Sequence, residues 1–264
     1  MYRSLCRHRL IGAFAISYTV SFAIATLSSG DEPSAKQPSG KPNAAMSADD
    51  LAGELRGIVA RLDGLLAKAD DYDEARQSHI AKEADVAAVV ALGLALDEKD
   101  QPLKQSAASA LAASQALAKA TDYSAAKRAF DQLKAALDGK AGGKASAAPM
   151  QWKPVAPLGL LMKEVPQVNN RLKRAVQAER FKSQAKTSAA ASAALVAIAE
   201  EAATDHDAVK KPADLPRWEQ FCAEMRDAAG SVNQAIHAGD ADRASQSMAQ
   251  LAQSCEHCHK AFRR

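Results

Sequence analysis

PRWEQFCAEMRDAAGSVNQAIHAGDADRASQSMAQLAQSCEHCHKAFRR, residues 216–264, is the stretch that decides the fold. From Pro216 to Ala238 the apolar side chains fall at Trp218, Phe221, Cys222, Met225, Val232 and Ile236, the stepping of one helix face. Gly239-Asp240 breaks that helix and caps the next. Beyond the break Ala244, Met248, Leu251, Cys255, then Cys258 or His259, and Phe262 keep the same spacing to the C-terminus. The segment therefore reads as two amphipathic helices in succession, each needing partners to cover its apolar face.

Working towards the N-terminus, Leu158, Leu161, Val165, Val168, Leu172 and Val176 predict a helix over about 157–180, and an alanine-rich helix follows over 182–203. A polar stretch with Pro212 and Pro216 joins these two helices to the last pair. The first half follows the same plan. A helix begins at Ser47, with Asp50 as a weak capping box, and runs to about residue 69 on Leu51, Leu55, Ile58, Leu62, Leu65 and Leu66. A second starts at Asp71, with Ile80, Ala84, Ala87, Ala91 and Leu94 inward. Pro102 suits the first turn of a third, which runs to about Thr121, and Asp122 caps a fourth carrying Tyr123, Ala126, Phe130, Leu133 and Leu137. At an offset of 118, Asp122, Ala126, Gln132 and Leu133 fall on Asp240, Ala244, Gln250 and Leu251, as in diverged copies.

Composition agrees. Alanine, the best helix former, supplies 61 of the 264 residues, and aromatics only 5%. The expectation is an all-α protein of two tandem four-helix bundles, residues 47–140 and 152–264, with a Gly/Ala linker over 141–151. Residues 31–46, rich in Pro, Ser and Lys, read as a disordered tether. Residues 1–30 carry Arg3, Arg7 and Arg9 without an acid, then an apolar stretch to about Leu27, then small residues around Ala23 to Gly30. Those are the parts of a secretory signal peptide, cleaved near residues 25–30, so the mature chain is expected to be exported and periplasmic. Left uncleaved, the same stretch would be a membrane anchor.

Cys255-Glu256-His257-Cys258-His259 is a C-x-x-C-H, the motif of covalent haem attachment. On a helix, positions i, i+3 and i+4 share a face, so two thiols can reach the porphyrin vinyls while His259 points at iron. By chance the pattern would occur in about one in 700 chains of this composition. Three other chemistries compete. A zinc site on Cys255, Cys258 and His259 lacks a fourth ligand, since His257 lies between them and His206 and His237 are isolated. A redox C-x-x-C opens a helix beside a sheet, and no sheet is expected here. A bare disulfide has no use for His259.

The segment from Trp218 to Arg264 resembles the C-terminal half of cytochrome c prime and its six-coordinate relatives. The shared features are a Trp early in the third helix, the Gly239-Asp240 break and the closing Ser254-Cys255-x-x-Cys258-His259-x-x-Phe262-Arg263. The resemblance covers residues 152–264 and implies a bundle with one haem c bound through Cys255 and Cys258, His259 as axial iron ligand and Arg263 near the haem. It also implies that the first helix of that bundle supplies the sixth ligand or leaves the site open. Leu161-Met162-Lys163 is similar to the Met-bearing version, making Met162 the candidate sixth ligand. Pro166, by removing a hydrogen bond to the Met162 carbonyl, is expected to kink the helix there. The basic residue that relatives carry one turn earlier has no counterpart, Lys153 lying too far back.

Without residues 1–30 the chain holds 31 basic and 31 acidic residues, too even for a nucleic-acid binder. No Ser/His/Asp or paired-carboxylate constellation suggests an enzyme. The expected function is electron carriage to a redox partner protein. One alternative is a five-coordinate haem that binds nitric oxide or carbon monoxide, and another is a haemless helical interaction protein with a disulfide or metal at Cys255 and Cys258. Residues 47–140 contain no cysteine, and are expected either to act as a haemless partner for the second bundle, an intrachain pseudo-dimer, or to leave the chain free to form a homodimer.

Overall fold

The computed structural model describes residues 46–97, 103–140 and 150–263. The expected signal peptide, nearly all of the tether, Pro102 and most of the linker lie outside the described residues. No strand occurs among the described residues, so the protein is all-α. None of these helices is long and apolar enough to cross a membrane.

Helix α1 spans Ala48–Leu65, and its cap is the expected one: Asp50 N–H donates to Ser47 Oγ at 3.0 Å. A short α2 (Tyr72–Ala75), a π turn (Arg76–Ile80) and α3 (Ala81–Leu96) follow without a break. α4 covers Lys104–Ala118 and α5 Tyr123–Leu137, the latter capped by Asp122, which accepts from Ala125 N–H at 2.8 Å. α6 runs over Leu158–Ala175 and passes Pro166 without ending. α7 (Ala178–Thr204) starts earlier than the apolar pattern predicts, because Gln177 turns to an extended conformation and ends the preceding helix. α8 covers Leu215–His237 and α9 Ala241–Phe262, where Asp240 repeats the cap of Asp122 by accepting from Arg243 N–H at 2.9 Å. Gly139 and Gly239 end α5 and α8 at φ values of 69° and 72°. Each closes a Schellman motif, with the residue after the glycine bonded to the carbonyl five back (Lys140 to Ala135, Asp240 to Ala235).

Two helices form the centre. Every residue from Ala84 to Leu94 of α3 is buried, and so is every residue from Ser188 to Ala199 of α7. A helix buried all round has neighbours on all sides. α3 packs against α1, α4, α6 and α7, while α7 packs against α1, α3, α6 and α8. Both are rich in alanine, whose small side chain lets backbones approach closely. The first two helices of the N-terminal half thus meet the first two of the C-terminal half, α1 on α7, α3 on α6 and α3 on α7. Exchanging first for first and second for second leaves that set of contacts unchanged, the pattern of a two-fold interface. The buried core is continuous from Met46 to Leu251.

Polar groups also cross between the halves. Glu54, with a side chain only 3% exposed, holds Arg61 at 3.0 Å and receives Arg171 of α6 at 3.4 Å. Asp50 Oδ2 accepts from Asn233 Nδ2 at 3.0 Å and lies 2.8 Å from His237 Nε2, both on α8. The segment before α6 is tied down as well. Val155 and Ala156 N–H donate to Glu201 Oε1, and Gln115 Nε2 donates to the Val155 carbonyl. Trp152 lies over Gly93, where a Cβ would stand 3.5 Å from its ring and 3.2 Å from Leu51.

Candidate functional site

The two halves differ in one respect that matters for function. In the first, α1 and α5 come together, and Tyr123 Oη donates to the Leu66 carbonyl across them at 2.9 Å. In the second, the corresponding helices α6 and α9 scarcely touch. The space they leave is a cavity of about 1040 Å³, at the upper limit of the roughly 300–1,000 Å³ typical of small-molecule sites.

Three helices supply most of its wall, and α7 adds Ala202. α6 contributes Leu158, Met162, Val165, Pro166 and Asn169; α8 contributes Trp218, Phe221, Cys222 and Met225; α9 contributes Cys255, Cys258, His259 and Phe262. All five residues singled out from the sequence, Cys255, Cys258, His259, Met162 and Arg263, line this one cavity. Met162 and Cys258 pack on the same small cluster of Ala202, Trp218 and Cys222. Arg263 is exposed at the rim with Lys163, Lys173 and Asp207. Lys153 is not among the lining residues.

Aromatic contacts fix one end. Trp218 and Phe262 meet edge to face at 5.2 Å, and Phe221 meets Phe262 in the same manner at 6.1 Å. Trp218 Nε1 donates to the Ala202 carbonyl at 2.9 Å, joining the Asp205 N–H at 3.1 Å as a second donor to that oxygen at the end of α7.

Burial sets the proton chemistry of the site. Burial first, then the neighbouring Cys255, pushes the Cys258 thiol up to about 11; burial first, then Cys258, pushes the Cys222 thiol up to about 12; Cys255 is raised by burial too. All three are free thiols. Burial, then the Arg263 guanidinium, holds His259 below the usual imidazole value, which favours the neutral form able to donate a lone pair to a metal. Among the described residues no group of three or more His, Cys, Asp and Glu is arranged to hold a metal ion. The Cys255, Cys258 and His259 side chains leave one helix face as a row, which suits a flat, extended group better than a tetrahedral ion.

Two lining residues escaped the sequence. Cys222 was legible only as a core residue of α8, yet it faces the cavity beside Cys258. Asn169 has a buried Oδ1 without a hydrogen-bond partner, and its place one face-repeat beyond Met162 (i, i+7) is the signal that could have found it. Comparison with protein-family models, with curated proteins and with solved structures found no match for this chain.

Proposed function

We propose that this chain is an exported c-type cytochrome carrying one haem c, and that it serves as an electron carrier rather than an enzyme. The proposal rests on one observation: a C-x-x-C-H lies on the wall of a large, mainly apolar cavity and not on an open helix surface. The donor set fits the group. Cys255 and Cys258 would form the thioethers and His259 the axial bond, while the orphan amide of Asn169 leaves hydrogen-bonding capacity for a polar edge of the occupant. Bound there, haem supplies a one-electron iron centre in a low-dielectric site. Met162, on the opposite wall, is the one residue of the α6 face with a sulfur to offer as sixth ligand, and Arg263 places a positive charge at the rim near His259. The aromatic end formed by Trp218, Phe221 and Phe262 keeps water from that side.

The architecture we infer is two tandem four-helix bundles, the second cytochrome c prime-like. The first would serve as its built-in haemless partner, an assignment supported by the two-fold pattern of contacts among α1, α3, α6 and α7.

Production with a c-type haem maturation system tests this directly. A mass increase of one haem, lost in Cys255→Ala/Cys258→Ala, is expected. A low-spin spectrum that turns high-spin in Met162→Ala would identify the sixth ligand and favour electron transfer. A five-coordinate ferrous haem that takes up carbon monoxide would instead favour gas binding. No covalent haem would overturn both and leave a helical interaction protein.

A further inference from the structure

On the face of α6 turned away from the cavity lies a second, smaller pocket of about 210 Å³, closed by the start of α7. Arg171, Arg174 and Arg180 converge on it, with Gln184 and Thr187 beside them and an apolar floor that includes Leu172 and Ala191. No carboxylate lines it. Arg171 is only loosely engaged, by one 3.4 Å contact with Glu54, whose carboxylate is already held closer by Arg61 at 3.0 Å. Arg174 and Arg180 make no side-chain hydrogen bond or ion pair among the described residues, and both are exposed. Three guanidiniums gathered around one pocket, with only Glu54 to share between Arg171 and Arg61, repel one another, and an anion between them relieves that repulsion. Guanidinium forks match the paired oxygens of phosphate, and the neighbouring amide and hydroxyl supply neutral donors. The pocket is smaller than a site for an extended ligand, but it has room for one compact anion.

We propose that this pocket binds a phosphate group, independently of any haem. Free phosphate and a phospholipid headgroup share that chemistry, and the test separates them. The full-length protein is titrated calorimetrically with inorganic phosphate at low ionic strength. It is then sedimented with vesicles of phosphatidylcholine alone or mixed with phosphatidylglycerol. Arg174→Gln/Arg180→Gln removes the two unpaired cations from exposed positions, so the fold should persist, as circular dichroism will verify. Arg56→Gln/Arg128→Gln, a pair of exposed arginines elsewhere, is the charge-matched control.

Saturable phosphate binding, weakened at least roughly tenfold in the pocket variant but not in the control, is the expected result. Absence of phosphate binding together with sedimentation on phosphatidylglycerol vesicles that only the pocket variant loses would support the site and assign it to a headgroup. Equal weakening in both variants would reduce the effect to net charge and overturn the proposal. So would a wild-type protein that binds neither probe.

Discussion

Replacing Asp85 with Asn should make the protein more stable at pH 8 than at pH 4, relative to wild type. Asp85 sits on the central helix α3, 5% exposed, and its Oδ2 has no hydrogen-bond partner. Burial first, and the nearby Glu201 carboxylate second, raise it from 3.8 to about 7, against a weaker opposing pull from Lys119. The folded protein therefore keeps a proton that the unfolded chain releases near pH 4. Stability from this group is complete below that value and is lost as the pH rises through the folded value. A displacement of about three units corresponds to about 4 kcal/mol, and partial water access lowers the expected effect to about 2–4 kcal/mol.

Glu54, Glu164, Glu200 and Glu201 are also raised, each chiefly by burial, so the wild-type curve alone cannot isolate Asp85. The difference between the two proteins can. Urea denaturation of both at half-unit intervals from pH 4 to 8 should show the Asn variant gaining by that amount across the window. A difference that stays constant with pH would refute the reasoning, because it would mean that Asp85 is ionised in the folded state throughout.

Gly239→Ala should cost about 1–2 kcal/mol from backbone strain alone, since φ is 72° there and nothing lies within 4 Å of the added methyl; thermal unfolding will measure it. Asn233→Ala removes donors to Asp50 Oδ2, the Ala189 carbonyl and Ser192 Oγ. With the Asp50 carboxylate left to His237 alone, the expected loss is about 2–4 kcal/mol in urea. Trp218→Phe keeps a ring against Phe262 and removes one of two donors to the Ala202 carbonyl, which still accepts from Asp205 N–H at 3.1 Å, for a loss of about 1 kcal/mol in the same assay.

The helices were legible in the sequence because their signals are local. Ser47, Asp122 and Asp240 cap the helices the sequence points to, and the apolar stripe of α8 marks buried positions from Trp218 to Ile236 except Phe221, which is half-buried. What the sequence concealed depends on which helix a face meets. Over α3 and the turn before it the sequence points one stripe inward, Ile80, Ala84, Ala87, Ala91 and Leu94, whereas every residue from Ala84 to Leu94 is buried. Alanine is mild on any hydrophobicity scale and hides an all-round core position. The same blindness placed Cys222 in the core without revealing that it faces Cys258. The π turn at Arg76–Ile80 and the break at Gln177 carry no glycine or proline to announce them. The candidate site was legible as a motif, Cys255 to His259. That a cavity stands before it was not, because a gap between α6 and α9 is a property of four helices together.

The alanine seam between α3 and α7 has a consequence for how such a chain could arise. Methyl groups interlock closely but remove little apolar surface per residue, so two separate bundles meeting on such a face would hold each other weakly. Tethering changes the terms: joined in one polypeptide, the halves meet at the effective concentration set by the connection, not at that of the protein in its compartment. A seam too poor to sustain a dimer between free partners can then be permanent. On the two-bundle reading proposed above, a permanent seam releases the first half from any need to keep a cavity of its own.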